Sequence, residues 1–296
     1  MTRCSTITAV SRVLLATDFS AESAQAVDCA RRLSNQHNAR LFVVHVMDVF
    51  PFSLDTGPAA TARIEELRRR ADEQMKEFVH THYLEDTRVE SALIEGETST
   101  AIEKFIREHE IDLIVMGSRG DTGISRLFEG STAEEVYRTA QCPVMVVGPK
   151  ATVHPDTAMF GRLLFATDLS RFSRIALPHV EFLLRENPAA RLTLAHFVEQ
   201  EADNVYERHL SRRRIERQLT EMIEPEFRSQ IEDAAVEACA AHEGMVKMAE
   251  GFGADLLVLG VRSGGAFTRA ATHGLFSTAS RVISEIPCPV LTVRTV

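Results

Sequence analysis

The chain alternates between short, continuous apolar runs and longer segments in which apolar residues recur every three or four positions. The β-branched runs RVLLAT (12–17) and LFVVHV (41–46) are typical of strands that are buried on both faces of a sheet. Between them, apolar residues at helical spacing predict a helix over 20–35. A single apolar stripe along a polar segment predicts a longer helix over 62–79.

The same alternation continues through the rest of the first half. Strands are predicted over 89–94, 112–117 and 143–148, and helices over 100–109 and 132–139. A series of this kind predicts an α/β fold: an open, mostly parallel five-stranded sheet with right-handed crossovers and helices on both faces.

The second half repeats the motifs of the first in the same order. VLLATDFS, which ends at Ser20, recurs as LLFATDLS, which ends at Ser170; IDLIVMGSR recurs as ADLLVLGVR, and AQCPVMVV as IPCPVLTV. These repeats predict two tandem domains of the same fold, 1–150 and 158–296. The prolines of GPKATVHPDTA (148–158) break both periodicities and mark the link between them.

A weaker repeat pairs RVESALIEG with AVEACAAHEG, which makes Val89 equivalent to Val236, an offset of 147. Asp112 and Asp255 are offset by 143. The decrease in this offset from 147 to 143 predicts that the second copy loses residues just before its third helix, near His242–Met245.

The composition is that of a globular protein, with 45% hydrophobic and 25% charged residues. There are 42 acidic and 33 basic residues, and the net charge of −9 argues against nucleic acid or an anionic membrane as the main partner. Glutamates surround the arginine run 212–214, which favours a solvated helix face.

Five cysteines form no CxxC pair, which fits a reducing compartment better than a disulfide framework. No run approaches the roughly 18 apolar residues of a membrane span. We therefore expect a soluble, cytoplasmic protein. No metal site is expected, because His80-Thr81-His82 lacks companion ligands.

A glycine-rich segment, IVMGSRGDTGISRLFEGSTAEEV (114–136), connects the fourth strand to the last helix. Ligands of open parallel sheets bind beyond the carboxyl ends of the strands, and Gly117 and Gly120 would let one approach the backbone. Ser131 and Glu134 match an S-x-x-E capping box. The first free N–H groups of the helix that follows would suit a phosphate.

Simpler interpretations exist for several of these residues. A strand-to-helix turn needs glycine in any case, and Asp18 and Asp168 could merely cap the helices that follow them. His45 and His196 close apolar strands, where packed, hydrogen-bonded histidines are common.

Together, LLATDFS, VVHV, DLIVMGSRG, the G-x2-G-x9-G-S-T spacing and the closing CPVMVV resemble the universal stress protein family. Both halves carry the resemblance, so the chain looks like a tandem member. The resemblance implies a Rossmann-like fold of the adenine nucleotide alpha hydrolase type. It also implies that a half with this glycine spacing binds ATP, or AMP or ADP, with Mg²⁺ as a candidate companion ion.

Carried over by position, the resemblance places adenine near Asp18 and the Val46 backbone and the phosphates on Gly130, Ser131 and Thr132. Arg119 could add a charge-assisted contact, and a solvated surface arginine is the alternative. The full set of residues expected in the first-half site is Thr17, Asp18, Val46, Gly117, Arg119, Gly120, Gly130, Ser131 and Thr132.

The second half departs from the pattern at the site itself. Phe276 stands where Gly130 stands in the first half, and Ser263 replaces Gly120, although Gly264 and Gly274 keep a nine-residue gap. We expect this half to bind no nucleotide or to bind it in an altered way. The candidate residues of an altered second site are Asp168, Phe197, Gly260, Gly264, Ser277 and Thr278.

Three functions remain open at this point. The first is an ATP-binding stress or signalling protein in which the nucleotide sets conformation or partner choice. The second is a slow ATPase or phosphotransferase, which the absence of GxxxxGK[ST] makes weaker; Asp18 and Asp121 are base candidates by location only, and no catalytic residue is assigned. The third is a structural module that binds no nucleotide.

The last strands, PVMVVG and PVLTV, are apolar and would form exposed edges in a lone domain. Pairing the two within one chain would give a pseudo-dimer with approximate twofold symmetry. Homodimers of whole chains and an unknown protein partner are further expectations.

Overall fold

The structure is a computed structural model, and it describes residues 9–48, 58–84, 88–118, 132–153, 160–198, 205–261 and 278–294. The first half alternates strand and helix as predicted. Its elements are β1 (Arg12–Ala16), α1 (Ala21–His37), β2 (Arg40–Met47), α2 (Pro58–Thr81), β3 (Val89–Glu95), α3 (Thr98–His109), β4 (Leu113–Gly117), α4 (Thr132–Thr139) and β5 (Val144–Val147).

The second half follows the same plan. Its elements are β6 (Arg162–Ala166), α5 (Leu177–Glu186), β7 (Arg191–Val198), α6 (Val205–Glu221), β8 (Ile231–Ala238), α7 (Ala241–Phe252), β9 (Leu256–Val261), α8 (Thr278–Glu285) and β10 (Val290–Arg294). Short 3-10 helices at Ser173–Ala176 and Pro225–Gln230 precede α5 and β8.

Each half is an open α/β sheet with helices on both faces, which confirms the predicted fold class. The strand order is β3-β2-β1-β4-β5 in the first half and β8-β7-β6-β9-β10 in the second. The pairs β1-β2, β1-β4 and β2-β3 are parallel, as are their counterparts in the second half. The central strands are fully buried, as their continuous apolar sequences predict; Leu14 and Leu164 are both 0% exposed.

By their contacts, the residues fall into two compact units. One spans Ala9–Met145 and the other begins at Val146, so the division lies within β5. The proposed limits 1–150 and 158–296 therefore stay a prediction drawn from the repeats.

The sequence-based equivalence of Val89 with Val236 is wrong. Met47 of β2 pairs with Glu95, and its counterpart Val198 pairs with Ala238. Glu95 and Ala238 are offset by 143, the same as Asp112 and Asp255. The residues that the second copy lacks therefore precede β8, and α7 has twelve residues, as α3 does.

Candidate functional site

The order of the first sheet reverses at β1. The chain adds β2 and β3 on one side of β1 and then returns to add β4 and β5 on the other. Ala16 is paired with both Val44 of β2 and Met116 of β4, so the residues that follow these three strands lie side by side at the carboxyl edge. The structure thus brings Asp18 and Gly117 together at the point where ligands bind in folds of this kind.

Val46 approaches the same edge from β2. It pairs with Ile94 of β3 near the end of β2. In the β1-β2 register Thr17 lies opposite His45, so Val46 is one residue further toward the carboxyl edge. Thr17 N donates to Val44 O over 3.0 Å, which continues the β1-β2 pairing to the start of the turn. The three described elements of the expected site therefore converge.

A hydrogen-bonded turn links β1 to α1. Phe19 has φ of 65°, in the left-handed region, and its N–H donates to Thr17 Oγ1 over 3.0 Å. Asp18 Oδ1 accepts from Ser20 N (3.1 Å) and Ser20 Oγ (2.6 Å). The N-cap of α1 is Ser20, whose side chain accepts from Ser23 N. Asp18 is therefore not the N-cap of α1. Its carboxylate instead bonds Ser20, the residue that caps the helix.

His45 joins β2 to this turn. Its Nδ1 lies 2.9 Å from Thr17 O, and because a carbonyl can only accept, Nδ1 carries the hydrogen. The ring stacks on Phe19 with 4.3 Å between centroids. Burial lowers the pKa of His45, against the opposing effects of the Thr17 hydrogen bond and the Asp18 charge. The histidine is packed and hydrogen-bonded.

The phosphate end of the expected site is described only in part. The structure starts α4 at Thr132 and ends β4 at Gly117. Glu134 and Glu135 lie in the first turn of α4, and the Glu134 carboxylate is 2.8 Å from the Arg138 guanidinium, which compensates its charge. Arg119, Gly120, Gly130 and Ser131 lie outside the described residues, as does the side chain of Thr132.

The second half has the same turn at the same edge. Thr167 Oγ1 accepts from Leu169 N (3.0 Å), Ser170 N donates to Asp168 Oδ1 (2.9 Å), and His196 Nδ1 lies 2.8 Å from Thr167 O. Leu169 has φ of 62°, close to the value for Phe19. The two turns differ in what covers them and not in how their backbones are bonded.

Gly260, the counterpart of Gly117, packs against the protein itself. A Cβ at this position would lie 2.5 Å from Ser173 Cα and 2.7 Å from Phe172 O. Real Cβ atoms do not come this close to backbone, so the 3-10 helix beside β9 accounts for the glycine without any ligand.

Phe197 occupies in β7 the position that Val46 occupies in β2. Its ring fills the space where a Cβ on Gly244 of α7 would sit, and Cys239 Sγ is 2.7 Å from the same point. At the matching place in α3 the first half has Ala101. The phenylalanine ring of Phe197 is thus accommodated because Gly244 has no side chain. Thr278 starts α8 and is exposed, whereas Gly264 and Ser277 lie outside the described residues.

Within the described ranges no three His, Cys, Asp or Glu residues form a group that could hold a metal ion. No helix in those ranges is long and apolar enough to cross a membrane. Cys29 and Cys288 are buried thiols, and burial raises the pKa of each to about 12. These thiols are packing groups and not nucleophiles.

Comparison with known proteins settles the family. The model of the universal stress protein family matches residues 9–148 and, separately, residues 159–294. The chain belongs to the universal stress protein family. The two matched segments make it a tandem member, as the resemblance implied.

Universal stress proteins of single-domain length match about half of the chain. One from Methanocaldococcus jannaschii is 31% identical over 137 residues, which are 46% of this chain and 81% of the relative. One from Thermus aquaticus is 33% identical over 136 residues, again 46% of this chain and 96% of the relative.

A universal stress protein from Archaeoglobus fulgidus has a similar fold along the whole chain. The alignment covers 99% of this chain and 98% of that one, with 19% identity and a TM-score of 0.67. At this level of identity the likeness shows a shared fold.

Proposed function

We propose that the first half of this universal stress protein binds an adenine nucleotide, ATP or else ADP or AMP, at the carboxyl edge of its sheet. The observation that carries the proposal is the convergence of Asp18, Val46 and Gly117 at the point where the strand order reverses. Crevices at such points are where open α/β sheets bind ligands. The bound nucleotide would then set conformation or partner choice by binding one state more tightly than another.

The residues present suit such a ligand. We assign the base to Asp18 and the Val46 backbone, next to the turn that Thr17 and Ser20 hold. The phosphates belong at the start of α4, where unpaired N–H groups and the helix dipole favour an anion. The ion pair with Arg138 offsets part of the repulsion that Glu134 would exert on a phosphate there.

The remaining assignments rest on the sequence motif. Gly117 and Gly120 would lie beside the ribose and phosphates, Gly130 and Ser131 would offer amide and hydroxyl donors together with Thr132, and Arg119 would add a charge. When bound with the nucleotide, Mg²⁺ would supply further phosphate neutralisation.

We propose that the second half binds nucleotide weakly or not at all. The position of Val46 is taken by Phe197, whose ring packs on α7, and Phe276 stands where the first half has Gly130. A ligand there would have to displace contacts that the fold itself makes.

Thermal unfolding with and without nucleotide tests the proposal. ATP at about 100 times its dissociation constant should stabilise the first half by about 2.7 kcal/mol. For a domain of this size the melting temperature should rise by roughly 5–10 °C. Isothermal calorimetry with ATP, ADP and AMP then ranks the three ligands.

Two matched variants locate the site. Gly130→Leu should abolish the shift, while Gly274→Leu, at the glycine that keeps the nine-residue gap in the second half, should retain it. If wild-type protein gives no shift and no heat with any of the three nucleotides, the proposal fails. If both variants bind as the wild type does, the phosphate assignment fails.

A further inference from the structure

One face of the first sheet carries both ends of the candidate nucleotide site. Side chains alternate between the two faces along β2, so Phe42 and Val46, four residues apart, point to the same side. The Phe42 ring meets the Phe105 ring of α3 edge-on, with 5.7 Å between centroids. Val46 therefore faces the helix layer that contains α3. The helix α4, whose start is the proposed phosphate site, packs against α3 in the same layer.

Ala101 stands opposite Val46 at the start of α3. It lies one helical turn before Phe105 and so nearer to the carboxyl edge of the sheet, where α3 begins. Gly96, which follows β3, is beside it, because a Cβ on Gly96 would lie 3.7 Å from Ala101 Cβ. Val46 and Ala101 are each half-buried, so part of their apolar surface is open at this edge.

The second half fills the matching place with a ring. Phe197 corresponds to Val46 and Gly244 to Ala101, and Phe197 Cδ1 is 2.5 Å from the point that a Cβ on Gly244 would occupy. Gly244 is buried, whereas Ala101 is half-buried. Because the two halves share their strand pairing, this contact also indicates that positions 46 and 101 face each other. A phenylalanine at 46 with its ring in the same place would overlap Ala101 Cβ.

We propose that the space between Val46 and Ala101 receives the base of the nucleotide, and that this pair of positions decides which half accepts a base. The inference rests on the proposed function. Neighbouring strands are about 4.8 Å apart, so the space lies one strand away from Asp18, on the side of the sheet where α4 begins. A nucleotide with its phosphates at the start of α4 can reach it along the edge. Small apolar side chains suit the flat face of a base.

Exchanging the pair between the halves tests the inference. The variant Val46→Phe/Ala101→Gly gives the first half the pair that the second half has. Isothermal calorimetry with the full-length protein should show an ATP affinity at least about tenfold lower, because the ring takes the place of the base. Inorganic tripolyphosphate, which has no base, should bind the variant and the wild type alike. The reciprocal exchange Phe197→Val/Gly244→Ala is the matched control and should not weaken ATP binding.

Thermal unfolding without nucleotide tests the geometry. Val46→Phe alone should lower the melting temperature, since the ring meets Ala101 Cβ. In the double variant Val46→Phe/Ala101→Gly that overlap is absent. The change in melting temperature of the double variant should therefore be smaller than the sum of the two single changes. Additive changes would mean that positions 46 and 101 do not face each other, and the inference would be overturned.

The calorimetric outcomes separate this inference from the nucleotide proposal. Wild-type protein that gives no heat with ATP overturns both. If the wild type binds ATP and the variant Val46→Phe/Ala101→Gly binds it equally well, only the inference about the base is overturned. An equal loss of ATP and tripolyphosphate affinity in that variant has the same consequence, because the effect would then not concern the base.

Discussion

The turns that leave β1 and β6 are bonded alike although their surroundings differ. In each, a threonine hydroxyl accepts from the residue two positions on, and a histidine of the neighbouring strand bonds the threonine carbonyl. Thr17 and His45 in the first half match Thr167 and His196 in the second. Because the network is present in both halves, it serves the fold first. It cannot by itself identify which half binds a nucleotide.

The surroundings carry the difference. In the first half Phe19 stacks on His45 and meets Phe78 edge-on at 5.7 Å. In the second half Leu169 replaces that ring, and Phe197 of β7 packs against Gly244 of α7. Ligand preference should therefore follow from the side chains and loops around the turn and not from the Thr-Asp motif.

The largest effect is expected from glycine replacement at the strand ends. Gly260→Ala places a Cβ against the backbone of Ser173, and we expect a loss of about 3 kcal/mol of unfolding free energy, the upper range for overpacking. Gly251→Ala is the control, because nothing lies within 4 Å of a Cβ there. In a helix it should stabilise by about 0.5–1 kcal/mol. Urea unfolding of the full chain measures both.

The same replacement at Gly117 sharpens the comparison. The turn beside β1 repeats that beside β6, so we expect Gly117→Ala to be destabilising as well. If Gly117→Ala leaves the stability unchanged but abolishes ATP binding, the expectation is wrong. Gly117 is then required for ligand binding and not for packing.

The starts of α3 and α7 should give an effect of intermediate size. Glu97 caps α3 by accepting from Ser99 N and Thr100 N over 3.0 and 2.9 Å, whereas Ala240 at the same place in the second half makes no side-chain cap. Glu97→Ala should cost about 1 kcal/mol, and Ala240→Asp should gain a similar amount. Equal stabilities for all three proteins would contradict the cap assignment.

The contribution of Glu97 should depend on pH. Burial opposes its ionisation, but the hydrogen bonds from Thr100 and Ser99 outweigh that effect and lower its pKa to about 2. Because the folded pKa is below the unfolded value of 4.5, the stabilisation is complete above pH 4.5 and is lost as the pH falls toward 2. The difference in melting temperature between wild type and Glu97→Ala should close over that range.

The fold could be predicted from the sequence because the patterns that indicate it occur along the whole chain. Continuous apolar, β-branched runs such as 41–46 favour strands buried on both faces, and the ordered repeats predict the tandem plan. The equivalence of the third strands failed because β3 and β8 have few buried positions, so their sequences are loosely constrained. The pairing of Val198 with Ala238 shows which residues of β3 and β8 are equivalent, which their sequences alone did not.

The candidate site was predictable only as far as it follows from topology. The meeting of Asp18 and Gly117 follows from the strand order. That Ser20 caps α1, or that Glu97 caps α3, depends on side-chain rotamers that no spacing rule fixes, although serine at 20 was already a favourable cap residue. The close contact at Gly260 could not be foreseen, because it involves backbone from residues almost ninety positions earlier in the chain.

The smallest effect concerns His45, whose pKa burial lowers from 6.5. Its stabilising contribution is complete above pH 6.5 and falls as the pH drops through the lower folded value, because the unfolded chain takes up the proton first. Phe19→Leu gives this turn the residue that Leu169 supplies in the second half, at a nearly identical φ. With the stacked ring gone, water reaches the imidazole and the pKa of His45 should move back toward 6.5.

Titration of the histidine ring signals by NMR, in wild type and Phe19→Leu, measures that shift. Asp18 is the charged neighbour that acts on His45 in the opposite sense, and it is present in both proteins. Any upward shift therefore reports the covering ring. An unchanged pKa would mean that the strand environment alone buries His45, in which case the aromatic cover is not what separates the two turns.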